Sequence, residues 1–227
     1  MIDTILLVGG FGTRLKDISD DLPKALMPIG SKVFLDIIID RIIGFNINKI
    51  YLSTHYRSEL FDNYVLNHPC KDKIECIREP SPMGTGGAIS HIIKNTNISS
   101  PFFTINGDTM SNLNLNMMYQ KFLKKKCNCM IGISKVNNAA RYGLIEIRNQ
   151  KIISFNEKNE KDEGWINNGH YIFDKSIFSG YLGKYSLEKE FFPSLIKIDN
   201  IIPYKVINDN FIDIGIPADY YSLCSRY

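Results

Sequence analysis

Thr4-Ile5-Leu6-Leu7-Val8-Gly9-Gly10-Phe11-Gly12-Thr13-Arg14-Leu15 runs from an apolar stretch into three glycines within four positions, and then to an arginine. An apolar strand that ends in a glycine-rich turn is how α/β folds present backbone N–H groups to phosphate. Glycine allows the close backbone approach and positive φ angles that a side chain would block. Arg14, with Pro23-Lys24 a further nine residues on, adds mobile positive charge to the same place. The stretch reads as a grip on the triphosphate of a nucleotide. Its spacing, G-G-x-G-x-R, excludes a Walker-type loop. It also lacks the third glycine and the downstream acidic residue of a dinucleotide site.

Working outward, residues 33–45 read as an apolar helix with Asp36, Asp40 and Arg41 along one side. A strand over 49–54 and a helix over 58–67 follow, with Ser58 as its N-cap. Then come a strand over 73–79, a stiff loop over 80–84, a helix over 85–94 and a strand over 101–105 that ends in Asn106-Gly107-Asp108. Four strand-then-helix units in a row predict a parallel sheet with right-handed crossovers. Beyond a helix over 115–126 the connections shorten. Strands over 127–136, 143–148, 151–158 and 166–173 read as antiparallel additions. A helix over 186–196, an extended segment over 203–214 and a helix over 217–227, with Pro217 in its first turn, complete the chain. The expected fold is α/β, a mainly parallel central sheet flanked by helices with a small antiparallel portion. Residues 1–227 form one domain whose halves, about 1–126 and 127–227, carry different parts of the site.

Composition narrows the function. The 227 residues are 44% hydrophobic, enough for a full core. The net charge is only +3, and the one dense basic cluster, Lys124-Lys125-Lys126, falls where it caps a helix C-terminus. A nucleic-acid partner is not expected. No apolar run approaches the roughly 20 residues that span a bilayer, so neither is a membrane. Five cysteines, an odd number at irregular spacing, argue against disulfides and zinc and for a reduced, cytoplasmic protein. Cys127-x-Cys129 reads as core packing.

Several residues carry chemistry. Asp108 ends a central parallel strand, on the sheet edge where ligands bind. It reads as a Mg²⁺ ligand, with a turn-capping role as the alternative. Asp213 lies alone in the apolar run Phe211-Ile212-Asp213-Ile214-Gly215. A carboxylate there is costly unless paired or metal-bound, so it is the candidate second ligand, or else an acceptor for a neighbouring helix N-terminus. Glu157-Lys158 is either a solvated pair or one that sends a charge inward. Asn167-Asn168-Gly169 and Tyr142-Gly143 offer groups at turns that suit sugar hydroxyls or purely local bonding. His55, His68, His91 and His170 are unclustered, and no nucleophilic triad is visible.

Together the motifs resemble the sugar-1-phosphate nucleotidylyltransferases over nearly the whole chain. The resemblance is carried in order by Gly9 to Leu15, Pro23-Lys24 with Met27-Pro28-Ile29, Glu79-Pro80 through Gly84-Thr85-Gly86-Gly87-Ala88, and Asn106-Gly107-Asp108. It continues through Glu157-Lys158, Asn168-Gly169, Ser186-Leu187-Glu188-Lys189-Glu190 and Ile212-Asp213-Ile214-Gly215-Ile216-Pro217. It implies a Rossmann-like nucleotidyltransferase fold and a Mg²⁺-dependent, in-line transfer of a nucleoside monophosphate. The partners it implies are a nucleoside triphosphate and a sugar 1-phosphate, and a homodimer is common among relatives. By the same resemblance Leu7, Gly9, Gly10, Gly12, Thr13 and Arg14 hold the nucleotide, with Glu79, Gly84 and Thr85 at its base. Arg14, Lys24, Asp108, Lys158 and Asp213 form the catalytic set, and Asp108 and Asp213 take the metal. Gly107, Tyr142, Gly143, Glu157, Lys158, Asn168 and Gly169 line the sugar phosphate. Residues 1–126 then hold the nucleotide and 127–227 the sugar phosphate.

Two departures touch turns only: Asp17 stands where relatives often have proline, and Lys32-Val33 where many have Lys-Pro. Glu79 can accept two hydrogen bonds from guanine, which uracil and thymine cannot both supply, so GTP is expected. Among short members the chain most resembles the D-glycero-D-manno-heptose 1-phosphate guanylyltransferases, which supply GDP-heptose for bacterial capsule, S-layer or lipopolysaccharide glycans. Another nucleotide (UTP, CTP or dTTP) with a different hexose or amino-sugar 1-phosphate, or a non-catalytic regulatory subunit, stays open at this stage.

Overall fold

The computed structural model describes residues 1–10, 18, 21–137, 139, 142–156, 163–198 and 200–227. The first half comprises β1 (Ile2–Leu7), β2 (Pro28–Ile29), β3 (Lys32–Val33), α1 (Phe34–Ile43), β4 (Ile47–Thr54), α2 (Ser58–Asn67), β5 (Ile74–Arg78) and α3 (Gly84–Asn95). It ends with β6 (Phe102–Asn106), β7 (Thr109–Met110) and α4 (Leu115–Lys125). The second half contains β8 (Cys129–Val136), β9 (Leu144–Arg148), β10 (Lys151–Asn156), β11 (Gly164–Phe173), α5 (Phe192–Leu195), β12 (Ile201–Val206), β13 (Ile212–Asp213) and α6 (Pro217–Cys224).

β1 is the central strand. It is buried almost throughout, as expected of a parallel strand covered on both faces. Leu6 lies opposite Leu52 of β4 on one side and Ile105 of β6 on the other, and β5 extends the parallel set beyond β4. The expected parallel half is present with its helical crossovers. β11 then joins β6 antiparallel, pairing His170 with Ile105. At its start β11 meets β9 through Ile166 and Leu144, and along its other edge it pairs with β8.

The strands of the second half join the central sheet as the expected antiparallel additions, and the sheet has nine strands among the described residues. β12, which begins just before the extended segment expected over 203–214, lies parallel to β8. β11 runs opposite to β8, so a chain that leaves β11 through helical turns re-enters on β8's free edge in β8's own direction.

Alternation along β1 divides the core. Leu6 points to a layer built with α1, α4 and α6, including Phe34, Ile38, Met118 and Leu223. Ile5 points to the opposite layer, with Ile89 and Ile92 of α3 and an aromatic group around Phe191. There Phe178 and Phe191 stack at 4.8 Å between centroids. Burial of this kind contributes about 1.5–3 kcal/mol per large apolar side chain.

Local signals held with some exceptions. Lys124 and Lys125 occupy the last turn of α4, and Pro217 begins α6. Cys127 and Cys129 are buried, and none of the five cysteines, all among the described residues, forms a disulfide. Ser58 is not the N-cap of α2: that position is Arg57, in the left-handed region at φ 52°. Arg57 is held there by donating to the Asp21 carbonyl at 3.2 Å. The 186–196 helix is a π turn (Leu187–Phe191) followed by α5, with Ser186 as its cap. No helix among the described residues is long and apolar enough to cross a membrane.

Candidate active site

The C-terminal ends of β1, β4, β5 and β6 share one edge, and the segments that leave them are stitched together. Gly107 N donates to Leu7 O at 3.0 Å, Val8 N to Ser53 O at 3.2 Å and Glu79 N to Thr54 O at 2.8 Å. Gly107 is required here because a Cβ would stand 2.8 Å from Leu7 O and 2.5 Å from a Val8 methyl. Close approach of two strand ends thus sets the floor on which Asp108 sits.

Asp108 receives Lys24 Nζ at 2.9 Å. The Lys24 side chain is 12% exposed and that of Asp108 37%, so the lysine is sheltered while the carboxylate faces the cleft. The second carboxylate arrives from the far end of the chain. β13 pairs antiparallel with β7, setting Asp213 opposite Thr109 and Ile212 opposite Met110. Ile214 N donates to Asp108 O at 3.0 Å, so the two aspartates lie on neighbouring strand ends. Asp213 Oδ1 accepts from Gly215 N at 2.7 Å, which fixes its carboxylate. Among the described residues no cluster of three or more histidine, cysteine or acidic side chains forms a metal cage. The arrangement is two carboxylates and a lysine at a sheet edge, suited to a divalent cation shared with phosphate oxygens.

Glu79 is 7% exposed and lies beneath Gly9, whose Cβ position would be 3.0 Å from Glu79 Oε1. Ser53 Oγ donates to Oε1 at 2.9 Å and Met83 N to Oε2 at 3.0 Å. Two of the carboxylate's four acceptor positions are thereby used. Gly84 and Thr85 begin α3, and the start of this helix is clamped by the segment before α5. Tyr185 O accepts from Gly86 N and Gly87 N at 3.1 and 3.2 Å. Thr85 Oγ1 accepts from Leu187 N at 2.8 Å and donates to Glu188 at 3.1 Å. The Ser186–Glu190 motif is therefore a brace for the α3 loop, a part that its sequence does not announce.

Asn167-Asn168-Gly169 is not a turn. It lies within β11, at an irregularity in the pairing with β8, where β11's other edge passes from β9 to β6. Gly169 has φ +79°, the left-handed region that favours glycine, and sits against Thr109 and Asn106. Asn168 is fully buried and does not offer its amide to the cleft. Its Nδ2 donates to Ser111 and Ser134 at 3.3 and 3.0 Å, and its Oδ1 accepts from His170 N at 3.3 Å. The expected sugar contact by this side chain is corrected to a supporting role under Gly169. Its own sequence could not distinguish the two, because an asparagine looks alike in both.

Tyr142 packs edge-on to Phe211 with centroids 5.6 Å apart and shares with Asp213, Asp219 and Arg226 the wall of a cavity of about 100 Å³. Gly143 is exposed, beside Asn156 O. Leu7, Gly9 and Gly10 lie at the end of β1 and just beyond. Gly12, Thr13, Arg14, Glu157 and Lys158 lie outside the described residues. Ser53, Ser111, Ser134 and Asp209 support the site from below and were not read from sequence, where single serines and a loop aspartate carry no spacing signal.

The comparisons agree with this geometry. The family profile described as nucleotidyl transferase matches residues 3–226. The chain is 35% identical over 222 residues to the D-glycero-alpha-D-manno-heptose 1-phosphate guanylyltransferase of Aneurinibacillus thermoaerophilus, covering 96% of this chain and 95% of that one. It is 33% identical to the Campylobacter jejuni protein of the same name, over 97% of each. The crystal structure of HddC from Yersinia pseudotuberculosis complexed with GMP-PN matches with a TM-score of 0.85 and 35% identity, over 100% of this chain and 99% of that one. With Lys24, Asp108 and Asp213 at one edge of a nucleotidyltransferase fold and a family match over residues 3–226, this chain belongs to the nucleotidyl transferase family.

Proposed function

We propose that the chain transfers a nucleoside monophosphate from a nucleoside triphosphate to a sugar 1-phosphate, yielding an NDP-sugar and pyrophosphate. We further propose that the nucleotide is GTP and the sugar phosphate D-glycero-D-manno-heptose 1-phosphate. The observation that carries the reading is the joining of Lys24, Asp108 and Asp213, 189 positions apart from first to last (213 − 24), at the C-terminal edge of the parallel strands. The specific substrates are supported by two heptose 1-phosphate guanylyltransferases at 33% and 35% identity, each matched over nearly its full length.

In this reading a phosphate oxygen of the sugar 1-phosphate attacks the α-phosphorus in line. The bond from that phosphorus to the bridging oxygen breaks, and pyrophosphate leaves with the electron pair. No residue becomes covalently bonded, so the chain's work is positioning and charge neutralisation between two anions. Backbone N–H groups after β1 and Arg14 hold the β- and γ-phosphates. Lys24, released from Asp108 by the arriving ligands, neutralises the phosphate in transfer. Lys158 holds the sugar's phosphate, while Glu157, Tyr142 and Gly169 line the sugar. Glu79, oriented by Ser53 and Met83, keeps two acceptor positions for the N–H groups of guanine. The donor set of Asp108 and Asp213 fits Mg²⁺, which when bound supplies positive charge at the phosphates.

The deciding experiment is a pyrophosphate-release screen that crosses four nucleoside triphosphates with a panel of sugar 1-phosphates, heptose included. Turnover is expected to be highest with GTP and the heptose phosphate. Faster release with another pair would replace these substrates. No release with any pair would remove the activity.

A further inference from the structure

Beneath the two aspartates lies a polar knot built on Asp209. Its Oδ2 accepts from Ser111 Oγ at 2.6 Å and also from Ser134 Oγ, and its Oδ1 accepts from Asn112 N at 2.6 Å. The three partners differ in origin. Ser111 and Asn112 directly follow β7, the strand that begins one residue after Asp108. Ser134 belongs to β8 of the main sheet. Asp209 itself lies in the connection from β12 to β13, four residues before Asp213. One carboxylate thus closes the foot of the β7–β13 ribbon and ties it to the sheet. Asn168 extends the knot by donating to both serines, and its carbonyl accepts from Thr109 Oγ1 at 3.2 Å, at the position opposite Asp213.

A two-residue ladder has little strength of its own, because an isolated pair of strands is marginal in water. Something else must hold β13 in register with β7, and hydrogen bonds to a charged acceptor are the stronger kind. We propose that Asp209 is the positioning residue for the carboxylate pair, setting the spacing of Asp108 and Asp213 through the β7–β13 ribbon. This rests on the reading of Asp108 and Asp213 as the metal-holding pair. Groups hydrogen-bonded to a metal's ligands typically change its affinity by about 10–100-fold when lost, and Asp209 acts one step further out, through Ser111, Asn112 and Ser134, so the low end of that range is expected.

The test measures Mn²⁺ binding by electron paramagnetic resonance with a non-hydrolysable GTP analogue bound, alongside steady-state pyrophosphate release, on the full chain. Asp209→Ala is expected to weaken Mn²⁺ binding about tenfold, and to lower kcat while leaving KM for both substrates within about threefold. Asp209→Asn keeps an oxygen for Asn112 N and an amide for the serine hydroxyls, so it should recover most of the affinity. An Asn variant that melts as the wild type does yet binds Mn²⁺ as weakly as the Ala variant would mean that charge rather than anchoring acts, and would overturn the proposal. So would an Asp209→Ala protein that melts earlier but binds Mn²⁺ as the wild type does. Should that variant not fold, Ser111→Ala is read in its place by the same criterion. If the wild type binds Mn²⁺ no better than Asp108→Asn, the metal reading itself fails and the proposal falls with it. If the wild type binds better than Asp108→Asn but Asp209→Ala matches the wild type, only the proposal falls.

Discussion

Asp108 and Asp213 were both legible as residues whose burial or position required an explanation, and both are found at one edge. Lys24 was legible as positive charge beside the phosphate grip. Its pairing with Asp108 across 84 positions needed the fold. Substitutions separate charge from shape. Asp213→Asn keeps the oxygen that accepts from Gly215 N, so the protein should melt within a few degrees of wild type while turnover falls about 100-fold or more. Asp108→Asn should show the same loss, read by pyrophosphate release at saturating substrates. Activity within tenfold of wild type in either would sink the metal-ligand role. Glu79→Gln replaces one acceptor by a donor, so kcat/KM with GTP should fall much more than with UTP. Equal losses with the two nucleotides would count against base reading by this side chain.

At the scale of elements, strand and helix positions followed from periodicity. The central strand is apolar on both faces, and α1 carries an apolar stripe with Asp36 accepting from Val33 N at 2.9 Å at its start. What periodicity could not show was which loops brace each other. The start of α3 spends its Gly86 and Gly87 N–H groups on Tyr185 O, about 100 residues away, and Thr85 completes the clamp. Thr85→Val keeps the shape and removes both bonds. Stability should fall by about 1–3 kcal/mol, and KM for the nucleotide should rise as the loop loosens. Urea unfolding and initial rates measure the two effects, and a stable variant with unchanged KM would show that the brace does not reach the site.

Across the whole molecule, the packing of β11 on β6 buries His170 under the site. Burial lowers its pKa to about 4, the nearby charges of Asp209 and Arg41 act in opposite senses, and Nδ1 bonds the Asn168 carbonyl. The unfolded chain would protonate near 6.5. The neutral ring is therefore the folded form. Its share of stability is full above about pH 6.5 and is lost as the pH falls toward 4, by about 3 kcal/mol in all. His170→Gln should remove that dependence, so urea unfolding at pH 7 and pH 4 should show the difference between the two proteins shift by this amount. A constant difference would mean that the imidazole is not held neutral. The order of strands and helices, the parallel half and the candidate carboxylates Asp108 and Asp213 were written in local terms: apolar period, glycine spacing, and charged residues at a strand end or in an apolar run. The parallel entry of β12, the inward turn of Asn168 and the knot around Asp209 were not. Each depends on which edges and which polar atoms remain unpaired once the chain has collapsed, a property of the assembled sheet and of no one segment.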